Sequence, residues 1–269
     1  MCKKNLSASV FNKKNVAGGA YSFFAAFFFL FIWHLLCVMK IAPAYMLPSP
    51  GRVLAALAGD FPLLVHHLSF TLFEAFTGLC ISIVCAFLIA LLMDSNIYIK
   101  KILNPVLVLT QTLPVIALAP VLVLWLGYGP SPKIALVFMT CFFPMAVSLS
   151  AGLASTDGED VLLMKSFGAS SFDIYRFLKI PRSLPYFFSS LKISASYAVV
   201  GAVIAEWLGG NGGIGVYMIR VRKSYAFDKM FASIALIVIF SFILLKIVSF
   251  FEYIILPWNK FSKRTYPKV

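Results

Sequence analysis

The sequence predicts an all-α membrane protein of about six transmembrane helices, and three observations predict it. Of the 269 residues, 61% are hydrophobic and only 12% charged, whereas ordinary soluble domains are roughly 45–50% apolar; mean hydropathy is +0.93. The apolar residues form long runs, about the 20 residues a helix needs to cross a hydrocarbon core about 30 Å thick. The period-two alternation of membrane β-strands is absent, and helices satisfy their own backbone in lipid.

Residues 1–20 read as a cytoplasmic tail carrying Lys3, Lys4, Lys13 and Lys14. The first span, about Tyr21 to Met39, exceeds a signal-peptide core of about 7–15 residues and leads into Lys40 and prolines, so it is read as retained. Within IAPAYMLPSPGRVLAALAGD, Ser49 is a candidate N-cap and Pro50 suits a first helical turn, giving a short amphipathic helix on the membrane surface. His66 and His67 follow; without a third ligand they read as polar anchors at the interface rather than a metal site.

The second span, Leu68 to Met93, contains Glu74. A carboxylate inside a membrane is costly and faces a bundle interior, a cavity or a cation, which makes Glu74 a candidate pathway residue, with a hydrogen-bonded core residue as the structural alternative. The third span, Ile102 to Leu126, holds Pro105, Pro114 and Pro120, and the fourth, Ile134 to Leu153, holds Pro144. Prolines kink helices and free carbonyls, so Pro114 and Pro120 are candidate gating positions. The fifth span, Tyr186 to Trp207, ends at Glu206, open either to the pathway or to pairing with Arg220, Arg222 or Lys223. The sixth is Met230 to Leu256, followed by a cytoplasmic tail, 257–269. Together, 21–256 form one transmembrane domain.

Basic residues retained on the cytoplasmic side set the orientation. Lys100, Lys101, Lys165, Arg176, Lys179, Arg182, Lys192 and the tail lysines share one side, placing both termini in the cytoplasm. Arg220, Arg222, Lys223 and Lys229 fall on the outer side, against the rule. The net charge of +13 is explained by lysines beside anionic lipid and calls for no nucleic acid.

Several chemistries lack their residues. GGNGGIG, Gly209 to Gly215, formally contains Gly-x-Gly-x-x-Gly, but it follows a membrane helix and has no βαβ context, so it reads as an outer glycine turn. No GxxxxGK[ST] loop exists to bind ATP. The five cysteines form no pair or cluster, and no catalytic or metal constellation is recognisable.

The polar island Asp157 to Pro185, within a loop spanning 154–185, is the strongest motif. Asp157 with Asp160, and Ser170 with Asp173, have capping-box spacing. Gly168 is placed to stop the first short helix in a left-handed turn, and Pro181 to end the second. Phe172, Tyr175 and Leu178 fall on one face of that second helix. Such a face suits either a partner's groove or the bilayer surface.

The island resembles the signature loop of ABC-importer permeases, Glu-Ala-Ala, three residues, Gly, nine residues, Ile-x-Leu-Pro. Here it runs Leu162-Leu163-Met164, Gly168, then Leu178-Lys179-Ile180-Pro181; the glycine, proline and spacing match, while Leu-Leu-Met replaces Glu-Ala-Ala, and Glu159 and Asp160 lie one turn earlier. LPSP at 47–50, TLPVIALAPVLVLWLGYGPSPKI and GASSFDIYRFLKIPRSLPYFFSSLKI are similar to the permeases serving sulfonates, taurine, nitrate and thiamine precursors. YAVVGAVIAEWLGGNGGIGVYMIRVRKSYAFDKMFASI is most similar to those for the pyrimidine precursor of thiamine. The resemblance implies a type I importer permease fold in the inner or plasma membrane, working as a homodimer with two cytoplasmic ATPases, which bind ATP-Mg, and an extracytoplasmic binding protein. It implies an ATPase-coupling loop of Leu162, Leu163, Met164, Gly168, Ala169, Phe172, Leu178, Ile180 and Pro181, and no cofactor or catalytic site on this chain. A sulfonate-type importer is the alternative. A proton-coupled transporter relaying through Glu74 or Glu206, or an intramembrane enzyme, would instead need inverted repeats or a convergent catalytic cluster.

Overall fold

In a computed structural model, residues 24–25, 27–41, 43 and 46–258 are described. The N-terminal tail, the beginning of the first expected span and residues 259–269 lie outside them. The described elements are α1 (Phe27–Val38), α2 (Pro50–Gly59), α3 (Phe61–Ser95), α4 (Ile97–Thr110), α5 (Val115–Leu126) and α6 (Pro130–Ala154). After these come α7 (Gly158–Ser166), α8 (Ser171–Ile174), a π-helical turn (Tyr175–Lys179), α9 (Ile180–Glu206), α10 (Ile214–Lys223) and α11 (Phe227–Ile255). No strand occurs among the described residues.

Among the described residues, four runs are long and apolar enough to cross a membrane: α3, α6, the continuous run Ser171–Glu206, and α11. The third expected span is not one kinked helix. It is the pair α4 and α5, bent by 101°, which counts as a fifth crossing if the pair is one span. Pro105 and Pro120 sit inside their helices, while Pro114 stands at the break as the extended N-cap of α5. Just before it, the Thr110 and Thr112 hydroxyls donate to Leu107 O (2.8 Å) and Leu109 O (2.7 Å). Proline cannot donate to the ladder; the last carbonyls of α4 are instead held by the turn itself, Leu109 O accepting from the Thr112 N–H (3.0 Å) and Thr110 O from the Leu113 N–H (3.3 Å).

The chain divides into two compact units. One comprises Met1–Phe61 and Val221–Ser233. Within it the Trp33 indole N–H donates to Pro48 O at 3.2 Å, and its ring packs 5.8 Å from that of Phe231. Helix α2 begins at Pro50 as predicted, but the Ser49 side chain makes no capping hydrogen bond. Lys229, grouped by sequence with the anomalous outer cations, pairs with Asp60 at 2.8 Å.

The second unit, Pro62–Arg220 and Ile234–Val269, holds the main core. Helices α6 and α9 pack antiparallel: Lys133 meets Gly210, Cys141 meets Ser194 and Gly152 meets Ser183. Helix α3 runs parallel to α6, with Glu74 beside Lys133 and Ser82 beside Phe138. The contact surfaces are built of small residues, Ala75, Ala86 and Ala90 on α3 and Ala195, Ala198 and Ala202 on α9, all buried. Lipid offers no hydrophobic drive for helix association, so close backbone approach and hydrogen bonds between helices must supply it. Gly152 shows how close: a β-carbon there would lie 3.0 Å from Ser183 Cα. Ser194 Oγ donates to Cys141 O at 3.3 Å, and Ser82 Oγ to Phe138 O at 3.1 Å.

Lys192, counted by sequence with the cytoplasmic basic residues, lies well inside α9 and pairs with Glu252 of α11. Val238, Phe242 and Phe250 of α11 are exposed, as expected of a helix whose outer face meets lipid.

Candidate functional site: two polar clusters at opposite ends of one helical bundle

The first cluster is the polar island, at the end of the bundle where α3 and α6 finish and α9 begins. Helix α7 stops as predicted. Gly168 takes φ +81°, its N–H donates to Lys165 O (2.9 Å) and the Ala169 N–H to Met164 O (3.1 Å), the paired bonds of a Schellman cap. The Ser170–Asp173 capping box also forms: the Asp173 N–H donates to Ser170 Oγ (3.2 Å) and the Ser170 N–H to Asp173 Oδ2 (3.0 Å).

Two expectations for the island are overturned. The Asp157–Asp160 box does not form, because Arg182 takes both carboxylates, at 3.2 Å to Asp157 and 2.5 Å to Asp160. Pro181 does not end the second helix either. Helix α8 passes through the π turn directly into α9, with the Ile180 N–H donating to Tyr175 O, and Pro181 falls in the first turn of α9. A proline needs no amide partner there, and the wider π turn absorbs the change of register.

Around this frame Leu162, Leu163, Phe167, Phe172 and Phe177 are exposed, while Met164, Ala169, Leu178, Ile180 and Pro181 are half-buried. The expected face is therefore split: Phe172 projects outward, whereas Tyr175 turns inward. The Tyr175 hydroxyl donates to Asp94 Oδ2 at 2.7 Å, and Lys179 Nζ reaches the same oxygen at 2.6 Å. Asp94, near the end of α3, thereby ties that helix to the island.

The second cluster lies at the other end of the bundle. Glu74 and Asp94 are separated along α3 by about 30 Å at 1.5 Å per residue, close to the thickness of a hydrocarbon core. Glu206, Glu74, Lys133, Thr71 and His67 are all buried there, with exposures between 0% and 5%. Both Glu206 oxygens accept hydrogen bonds, Oε1 from the Thr71 hydroxyl (2.7 Å) and Oε2 from the Gly215 N–H (2.5 Å). Thr71 Oγ1 in turn accepts from the Ile214 N–H at 2.9 Å, and His67 Nδ1 from the Gly213 N–H at 3.2 Å. The glycine turn is thus folded over Glu206, which explains its composition. Gly213 has φ +122°, and a β-carbon on Gly213 or Gly215 would overlap the Glu206 side chain.

Lys133 Nζ donates to Glu74 Oε1 at 2.8 Å and to Gly212 O at 3.4 Å. Glu74 Oε2 is buried without a hydrogen-bond donor. Glu74, Lys133, Phe70, Phe73 and Gly210 to Gly212 line a cleft of about 500 Å³. A second cavity of about 270 Å³ lies at the α4–α5 break, lined by Thr110, Gln111, Val115, Thr140, Phe143 and Tyr197.

The candidates Glu74 and Glu206 therefore meet, although they stand on helices far apart in sequence, and Pro114 and Pro120 line neither cavity. His67 is a buried partner of the glycine turn, not an anchor at an interface. Lys133 and Thr71 were not singled out by sequence. The one available signal for Lys133 was a lone cation opening an apolar helix, in a chain with a lone anion near the start of another.

Residues 78–260 match the family described as binding-protein-dependent transport system inner membrane component. The chain is similar to the formylaminopyrimidine transport permease protein ThiX of Halalkalibacterium halodurans, 36% identical over 85% of this chain and 92% of that protein. It is also similar to the taurine transport system permease protein TauC of Escherichia coli, 27% identical over 86% of each. Among solved structures, an amino acid ABC transporter matches with a TM-score of 0.62 at 16% identity, over 74% of this chain and 97% of that one.

Proposed function

The chain belongs to the family of binding-protein-dependent transport system inner membrane components and is the permease subunit of an ABC importer; from that premise we propose that its solute is a pyrimidine precursor of thiamine. The observation that carries the solute is the 36% identity, over most of both chains, with a formylaminopyrimidine permease. A sulfonate such as taurine is the second reading, favoured by the lower but equally extensive identity with a taurine permease.

The working unit in this proposal is a homodimer in the inner or plasma membrane, with both termini in the cytoplasm. Two ATPase subunits bind ATP-Mg on that side, and a solute-binding protein docks on the other. The exposed Leu162, Leu163, Phe167 and Phe172 enter a cleft in each ATPase, since apolar side chains clustered on a polar loop are favourable once a partner covers them. ATPase closure displaces α7. The Arg182 pairs and the Asp94–Tyr175–Lys179 ties pass that displacement to α9 and α3 as a rigid-body change between two states.

Reconstitution in proteoliposomes tests the assignment. Uptake of a labelled 4-amino-2-methylpyrimidine precursor should need the permease, the ATPase, ATP and the binding protein together. Uptake by the permease alone along an ion gradient would refute it, and ATP-driven uptake of taurine without the pyrimidine would transfer the assignment to the second reading.

A further inference from the structure

The cleft of about 500 Å³ beside Glu74 has the chemistry of a ligand site, within the range usual for small-molecule pockets. One wall is the Glu74–Lys133 pair, both side chains buried. Glu74 uses Oε1 for Lys133, and its Oε2 has no donor. A buried carboxylate oxygen without a donor is costly. The neighbouring Glu206 carboxyl lies within hydrogen-bonding reach of Glu74; both of its oxygens already accept, from Thr71 and Gly215, so a bond between the two carboxyls needs a proton on one of them. Lys133 brings three N–H groups, of which two are directed at Glu74 and Gly212. With both carboxyls ionised, the wall therefore holds one free acceptor next to one spare donor. Phe70 and Phe73, both partly exposed, supply aromatic surface in the same cleft, and Gly212 lies flat against the Phe70 ring, where a β-carbon would come within 2.8 Å.

We propose that this cleft binds the aminopyrimidine ring directly, so that the permease itself contributes to solute selection. The inference rests on the solute proposed above. A 4-aminopyrimidine carries an exocyclic N–H donor beside a ring-nitrogen acceptor, the complement of Glu74 Oε2 beside Lys133 Nζ, and a flat face that packs on phenylalanine. A sulfonate carries only acceptors and a negative charge. It would leave Oε2 without a donor and meet two carboxyl groups for one ammonium, so the same wall disfavours it.

The test uses the permease–ATPase complex in nanodiscs without the binding protein, with 4-amino-2-methylpyrimidine, its 4-oxo counterpart and taurine as probes in calorimetry. The aminopyrimidine should bind and taurine should not. Glu74→Gln should weaken aminopyrimidine binding about 10- to 100-fold, the loss expected for one charge-assisted hydrogen bond, and reduce the preference over the 4-oxo probe. Should Glu74→Gln fail to assemble, Phe73→Ala decides the matter, since Phe73 lies outside the ion pair: it should weaken binding several-fold while Phe73→Trp retains it. Unchanged affinity in these variants overturns the inference, and is also what a proton shared between Glu74 and Glu206 would produce. Uptake by the full transporter separates the two levels. If it imports the aminopyrimidine while the cleft variants bind and import normally, only this inference fails; if the unaltered transporter does not import it, the proposed solute fails.

Discussion

Gly168 offers a test of the proposed coupling between the loop and an ATPase, because its backbone and steric roles separate cleanly. Its φ of +81° is left-handed, yet a β-carbon there would meet nothing within 4 Å in the free permease. Gly168→Ala therefore carries no packing clash and only the left-handed penalty, about 1–2 kcal/mol. That energy shifts the balance between the capped loop and its alternatives by about 5- to 30-fold, since 1.4 kcal/mol is tenfold. Asparagine tolerates the left-handed region better than alanine but is bulkier. If the loop needs Gly168 for its turn, Gly168→Ala should weaken ATPase binding to the permease by about that factor, and Gly168→Asn should recover much of it. Interferometry with immobilised permease and titrated ATPase measures both. Equal or worse binding by the asparagine variant would refute the backbone account and show that the partner needs the space above Gly168.

Three further substitutions probe the rest of the bundle. Gly213→Ala adds strain of about 1–3 kcal/mol at φ +122° and displaces the Glu206 carboxyl from its donors, so melting in detergent should drop well below that of Gly168→Ala; equal melting would separate the turn from stability. Asp94→Asn removes the charge facing Lys179 and should lower solute imported per ATP hydrolysed several-fold while ATPase binding persists; an unchanged ratio would exclude the tie from coupling. Gly152→Val drives a branched side chain against the Ser183 backbone and should cost about 1–3 kcal/mol through overpacking, read as a lower melting temperature in detergent.

Local features of the sequence were legible where local forces decide. The Gly168 stop and the Ser170–Asp173 box involve residues within a few positions of one another, and both form. The Asp157–Asp160 box has the same spacing and fails because Arg182, more than 20 positions later, is a stronger partner for both carboxylates than a backbone amide. Pro181 misled for a related reason, since a proline that ends one helix and a proline that opens the next look alike until the path between them is known. Four prolines marked the third and fourth spans, but only Pro114 breaks its helix. Glu74 and Glu206 stood out singly as carboxylates in apolar runs. Their meeting, and the involvement of Lys133, Thr71 and His67, depend on three helices packing in one register, which no local pattern encodes.

That register also constrains how the two ends can communicate. Helix α3 carries Thr71 and Glu74 at one end and Asp94 at the other; α9 ends in Glu206 and begins beside Lys179 and Arg182. Each helix thus belongs to both polar clusters. Between them alanines, glycines and serines at close approach interlock with larger side chains such as Val137, Met145, Leu149 and Phe188, a surface that can shift as a whole more readily than it can deform, because each small step would open a void or force a clash. In the proposed mechanism a displacement imposed at Asp94 and Arg182 would be delivered about 30 Å away at Glu206, where the glycine turn rests on the carboxyl, and at Glu74, which lines the cleft. The turn is held by hydrogen bonds to Thr71, His67 and Glu206, from two different helices, so relative motion of α3 and α9 cannot leave all of them intact. On this reasoning the glycine turn is the part of its cluster that would report the state of the cluster at the polar island.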